Sequence, residues 1–302
     1  MEKFRTEIDI RPDKEHCIAH SEGIVMLGSC FTDNVGALLQ RDGFDVTFNP
    51  FGPLYNPAPI ENVIMRALLD ISYSPQSFVQ DEQGLWHCLD FASKYVSNDP
   101  EHLASHINTQ LRELRDKLLN ASTVIITLGT AYVYYWKDIA TPKEKFGQVY
   151  AVGNCHKFPA QCFNRERLEV ADVKSLLTNI SALLLGKVRN IIFTVSPIRH
   201  IGDGLHGNEL SKATLLLGID QAINAQIQPD ERMCYFPSYE IMIDDLRDYR
   251  FYAADMKHPS DVAIDYIYDR FLATFCTKET IAQAEEARRA SLRQAHRPLE
   301  KI

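Results

Sequence analysis

The chain has 302 residues, 45% of them hydrophobic and 24% charged, enough to bury one large α/β core with insertions. Forty acidic against 32 basic residues give a formal charge of −8, with no Lys/Arg cluster dense enough to offset it. That balance argues against nucleic acid and against an anionic membrane as partners.

The N-terminal segment "MEKFRTEIDIRPDKEHC" is polar and mixed in charge and lacks the apolar core of a signal peptide. No later run reaches membrane-spanning length. Five continuous β-branched and apolar runs follow: Ile24–Leu27, Phe44–Phe48, Ser122–Thr130, Arg189–Pro197 and Arg232–Pro237. Runs of this kind are expected where both faces of a parallel sheet are covered. Between them the spacing predicts helices over Thr32–Arg41, ended by Gly43, and over Pro57–Leu69, His102–Leu119, Val170–Val188 and Asn208–Gln226. In the third of these, Leu103, Ile107, Leu111, Leu114 and Leu118 recur at steps of three and four, the mark of one buried face. Alternating strands and helices imply a three-layer, doubly wound, mostly parallel α/β sheet of about five strands.

Two insertions interrupt the pattern. Residues 76–95, after the second strand, read as a small hairpin turning near Gln83-Gly84. Residues 132–163, after the third, are long, aromatic and rich in Gly, Pro and Asn, as in a lid or binding loop. The expected organisation is one domain over 1–276 carrying both insertions, with an Ala/Glu/Arg-rich helical tail over 277–302. Seven scattered cysteines with no CxxC pair read as free thiols in a reducing compartment, and the cytoplasm is the expected location.

In open α/β sheets, sites form beyond the carboxyl ends of the strands. Gly28-Ser29-Cys30 follows the first strand there, and Asp255-x-x-His258 precedes a last helix. A serine hydroxyl needs a base to take its proton, usually a histidine held by a carboxylate. Ser29, His258 and Asp255 supply all three roles, and the Ser29 N–H at a helix N-terminus is a candidate oxyanion donor. Successive side chains at such a turn point different ways, so only one of Ser29 and Cys30 can face His258. Ser29 is the expected nucleophile and Cys30 the expected packing group, with a Cys–His hydrolase as the competing reading. Arg199, after the fourth strand, is a candidate fork for a substrate carboxylate or phosphate, with His200 beside it. Asn154 and His156, in "VGNCHKFP", are candidate substrate contacts. No cofactor and no metal is expected: His206 lies in a flexible loop without a second ligand nearby.

The order of these motifs resembles the SGNH, or GDSL-type, hydrolase superfamily, whose sheet is flavodoxin-like. More closely, "GSCF" at Gly28–Phe31, "NCHK" at Asn154–Lys157, "TVSPIRH" at Thr194–His200 and "NELSKATL" at Asn208–Leu215 resemble the GSCFA family over roughly Ile8 to Phe275. The resemblance implies Ser29 as the first-block nucleophile, Asp255 and His258 as the last-block pair, and Gly52 as the second-block oxyanion donor. At the third block a G-x-N-D is expected, whereas this chain reads Gly129-Thr130-Ala131-Tyr132. Thr130 or Asn154 is then the candidate replacement for the missing asparagine. The expected function is a serine-dependent esterase or deacylase acting on an ester of a small polar molecule. An acylated sugar would stack on the aromatic run Tyr132–Trp136. The alternatives are an acyltransferase with the same triad and a non-catalytic ligand-binding module. The sequence leaves the oligomeric state open.

Overall fold

A computed structural model describes residues 6–137, 144–145, 148–149, 151–225 and 230–295. Five parallel strands form the central sheet: β1 (Gly23–Gly28), β2 (Val46–Phe48), β3 (Ala121–Leu128), β4 (Asn190–Val195) and β5 (Met233–Phe236), in the order β5-β4-β3-β1-β2. Seven helices of eight or more residues accompany them among the described residues: α1 (Cys30–Arg41), α2 (Pro57–Leu68), α3 (Pro100–Asn120), α4 (Val170–Leu183), α5 (Gly204–Ile223), α6 (Asp261–Phe275) and α7 (Lys278–Ala295).

The strand residues alternate between two cores. Val25, Leu27, Val124, Ile126, Ile191 and Phe193 face one core, shared with the buried sides of α2 to α5. Ile24, Met26, Ile125 and Ile192 face the other, closed by α1, α6 and Ala284 of α7. The central strands β1, β3 and β4 are therefore apolar on both faces, the origin of their unbroken apolar runs. The expected core face of α3 is the buried one: Leu103, Ile107, Leu111, Leu114 and Leu118 all lie inside. Gly43 follows the end of α1 with a φ of 84°, the left-handed turn that stops a helix.

The insertions are small antiparallel sheets. Val79–Gln80, Trp86–His87 and Val96–Ser97 form one, with Gly84 at its first turn. The expected lid over 132–163 is instead largely folded: Tyr132–Trp136 pairs with Ala151–Val152 on one side and Phe163–Arg167 on the other. β-branched and aromatic side chains in that run favour pairing over an open loop. Residues 138–143, 146–147 and 150 of the expected lid lie outside the described residues, as do 296–302 of the tail. No helix among the described residues is long and apolar enough to cross a membrane.

The tail helix α7 is held by one buried carboxylate. Asp42, at the end of α1, has a fully buried side chain. It accepts hydrogen bonds from Arg288 of α7 at 2.6 Å, Arg41 at 2.8 Å and the Tyr268 hydroxyl of α6 at 2.9 Å. Burial alone would raise its pKa, but bonds from Arg288, Arg41 and Tyr268 outweigh that and hold it below the usual carboxylate range. A carboxyl whose folded pKa is depressed contributes stability above its unfolded pKa, about 3.9, and loses it as pH falls. Arg288→Ala should therefore cost about 3 kcal/mol at neutral pH in a urea melt. The gap from wild type should close below about pH 4. An equal gap at both pH values would remove Asp42 as the anchor.

Candidate active site

The first strand ends against its neighbour. A Cβ on Gly28 would sit 2.3 Å from the Thr127 carbonyl oxygen of β3, so only glycine lets the chain turn there. Ser29 follows with extended backbone and caps α1: its Oγ accepts from the Phe31 N–H at 3.4 Å. Its own N–H donates to the Thr127 carbonyl at 3.1 Å, and the residue is 1% exposed. Cys30 is the first helical residue and projects into a cleft of about 500 Å³.

On the opposite wall, Asp255-Met256-Lys257-His258 forms a tight turn. Asp255 Oδ1 accepts the N–H groups of Lys257 and His258 at 2.9 and 3.0 Å. Its Oδ2 lies 2.6 Å from His258 Nδ1. Bonds from the His258 N–H, the His258 ring and the Lys257 N–H hold the Asp255 carboxyl well below the usual carboxylate range. An ionised Asp255 can only accept, so Nδ1 carries the proton and Nε2 offers a lone pair. That lone pair faces Cys30: Nε2 lies 3.7 Å from Sγ.

The geometry differs from the expected triad: Asp255 and His258 meet, but the side chain beside His258 Nε2 is that of Cys30 and not of Ser29. The reason is local: an N-cap side chain folds back onto its own helix amides, whereas the next residue points away from them. The Cys30 thiol sits above its ordinary pKa, because burial and the nearby Asp33 outweigh the amides of Cys30 and Phe31 and the charge of Lys212. The backbone N–H of Cys30 has no acceptor among the described residues, as expected for the first amide of a helix.

The other expected site residues divide. Gly52 is not brought to the cleft: its N–H closes a turn onto the Asn49 carbonyl at 2.8 Å, and it is not among the lining residues. The N–H groups of Gly129 and Thr130 are both taken by the Tyr55 carbonyl, at 2.8 and 2.9 Å. Thr130 lines the cleft, but its hydroxyl bonds that of Ser211 at 3.1 Å. Asn154 lines the cleft with its carbonyl oxygen spent on the His156 N–H. His156 is excluded from the cleft: its ring is buried, bonding the Phe91 carbonyl at 2.9 Å and His87 at 3.1 Å. His87 in turn meets Asp81 at 2.8 Å, so this chain joins the two insertions.

Arg199 and His200 both line the cleft, and the Arg199 N–H bonds the Lys257 carbonyl at 3.0 Å. Burial, then Lys212, Arg165 and His258, push the His200 pKa down to about 4, so its ring is neutral. Its Nε2 is buried without a partner among the described residues, close to Gly129.

Contributors not anticipated include Tyr55, Lys257 and the Arg165–Asp203 ion pair in the wall, and Lys212 bonded to the Gly129 carbonyl behind it. Lys212 is 1% exposed and donates to the carbonyls of Gly129 and Ser196, both at 2.7 Å. Burial pushes its pKa down to about 7. Its sequence signal was a lysine on the buried side of a helix, with Asn208 and Leu215 at neighbouring turns.

Away from the cleft, one group among the described residues has metal-ligating atoms within 4.8 Å of one another: Asp13, His16 and Cys234. Both His16 ring nitrogens are already engaged, by Asp13 at 2.7 Å and the Glu231 carbonyl at 2.8 Å.

No curated relative matches the sequence. Among solved structures the chain is similar to LAE5, an alpha/beta hydrolase enzyme from the metagenome of Lake Arreo, Spain. The identity is 11% and the TM-score 0.38, over 85% of this chain and 95% of that one. The model of the GSCFA family matches residues 23–271, the span that holds the sheet, Cys30 and the Asp255–His258 turn. The chain belongs to the GSCFA family.

Proposed function

We propose that the protein is an acyl hydrolase whose nucleophile is Cys30, with His258 as general base and Asp255 as its orienting carboxylate. One observation carries the reading: a cleft-facing thiol 3.7 Å from an imidazole whose other nitrogen is held at 2.6 Å by a carboxylate. The substrate class is an ester of a small polar molecule.

The steps follow from the geometry. Nε2 of His258 takes the thiol proton as Sγ attacks the acyl carbon, and Asp255 holds the resulting imidazolium. The carbonyl oxygen becomes an oxyanion, and in this reading the Cys30 N–H at the start of α1 donates to it. The tetrahedral adduct collapses by breaking the acyl–oxygen bond, and His258 returns its proton to the departing alkoxide. The product is a thioester on Cys30. Water, deprotonated by His258, then attacks the thioester and releases the acid and the thiol. An acceptor other than water at this second step gives the acyltransferase alternative with the same residues.

The sugar-binding expectation loses support. Arg165 lies 3.8 Å over one face of the Tyr132 ring, and Trp136 packs on Phe158 and Phe163. All seven cysteines are free, which supports a reducing compartment and the cytoplasmic placement.

Turnover of 4-nitrophenyl acetate tests the assignment. Cys30→Ala should abolish it and the acyl adduct seen by intact mass, and His258→Ala should lower kcat/KM by about 10²–10⁴. Ser29→Ala should retain turnover and lose about 1 kcal/mol of stability as a missing helix cap. Loss in Ser29→Ala with retention in Cys30→Ala would refute the thiol nucleophile.

A second test reads the resting thiol. Because burial holds it above its ordinary pKa, alkylation of Cys30 by iodoacetamide should still be accelerating at about pH 8.5, the midpoint of a free thiol. A plateau by about pH 7 would instead mean a preformed thiolate–imidazolium pair.

A further inference from the structure

The charged side chains that line the Cys30 cleft are Arg165, Arg199, Lys257 and Asp203. Asp203 is committed to Arg165 as an ion pair. Neither Arg199 nor Lys257 has a carboxylate within 4.0 Å among the described residues. The described side-chain bond of Arg199 is a long one, from Nη1 to the Met256 carbonyl at 3.5 Å. Its guanidinium lies beside two rings, 5.7 Å from the centroid of Tyr249 and 5.2 Å from that of Tyr252. Stacking of this kind steadies the fork while leaving its N–H edge free.

Carboxylates on the surrounding segments have other partners. Asp255 is spent on His258 and two amides, Asp33 on the Asn49 amide, and Glu209 on the Tyr239 hydroxyl. The Arg199 N–H bonds the Lys257 carbonyl, so both uncompensated cations belong to segments joined beside His258. A chain of formal charge −8 thus keeps two unpaired cations at the mouth of its one thiol–imidazole cleft among the described residues.

We propose that this cleft accepts an acyl donor carrying an oxyanion group, a carboxylate or a phosphate, bound by Arg199 and Lys257 while Cys30 attacks the acyl carbon. The guanidinium fork meets either oxyanion in bidentate fashion, and the Lys257 ammonium adds a point charge. The low-dielectric walls concentrate anions at the thiol. This inference rests on Cys30 as the nucleophile and narrows the ester class to anionic esters.

The test compares alkylation of Cys30 by iodoacetate, which is anionic, and by iodoacetamide, which is neutral and of nearly the same size. Peptide mass spectrometry separates Cys30 from the other six thiols, and N-acetylcysteine amide supplies the ratio for a free thiol. The iodoacetate-to-iodoacetamide ratio at Cys30 should exceed that of the free thiol by about tenfold or more at low salt. It should fall toward the free-thiol value in about 0.5 M salt. It should also fall in Arg199→Gln and Lys257→Gln. Lys257 is exposed, so the second variant keeps the test alive if the first does not fold. Protection of Cys30 by succinate and by inorganic phosphate, measured separately, tells which oxyanion the cleft prefers. A ratio at or below that of the free thiol, or no protection by either anion, overturns the inference while leaving the nucleophile standing. No alkylation of Cys30 by either reagent in folded protein overturns the nucleophile itself.

Discussion

The contact between Gly28 and the Thr127 carbonyl is the constraint on which the site depends. With no room for a Cβ, the chain passes from the end of β1 into α1 with a single residue between them. That residue must both leave the sheet and cap the helix, so its side chain turns back onto the Phe31 amide. The next side chain, on Cys30, is the first able to reach solvent at the sheet's edge. It arrives with the unbonded amide of the helix N-terminus beside it. Which side chain meets His258 is therefore set by helix-capping geometry, before any other residue of the cleft is considered.

That geometry also explains where reading the sequence stopped short. The central strands were legible because each is buried on both faces, and apolar alternation between two cores leaves an unbroken hydrophobic run. The Asp255–His258 pair was legible because a three-residue step with a leading aspartate closes a turn by itself. Choosing between Ser29 and Cys30 required knowing which of them was the cap, a one-residue boundary that composition does not resolve. His156 and Gly52 were drawn to the site by motif and by block position. Their hydrogen bonds are spent locally, His156 on Phe91 and His87, Gly52 on Asn49, and such tertiary pairing has no signature along the chain. The small sheet built on Tyr132–Trp136 was read as a loop because its partners lie about 15 and 30 residues further on.

The electrostatics of the cleft oppose those of the whole molecule. Net charge predicts weak attraction for anions, yet the local arrangement reverses the sign. Lys212 extends that reversal below the floor. Its two acceptors, the carbonyls of Gly129 and Ser196, lie at the carboxyl ends of neighbouring strands, so one buried ammonium bridges the termini of β3 and β4. A buried cation bonded only to carbonyls is costly unless negative charge appears nearby. Glu209 is one such charge, and in the proposed reaction a thiolate or oxyanion at Cys30 is a second, with His200 neutral and adding no competing cation.

The sheet order places all of this at one point. From β1 the chain steps outward to β2, then crosses back to lay β3 on the other side of β1, and continues outward through β4 to β5. Adjacent strand ends whose connections leave in opposite directions open a crevice between β1 and β3. Cys30 follows one of those strands and Thr130 the other, and both line the cleft. The segment after β4 adds Arg199 and His200, and its hydrogen bond to Lys257 brings in the turn that carries His258. The thiol, the imidazole and the unpaired cations thus meet because strand order splits the connections there, and the inserted sheet built on Tyr132–Trp136 extends the wall of a crevice the core already provides.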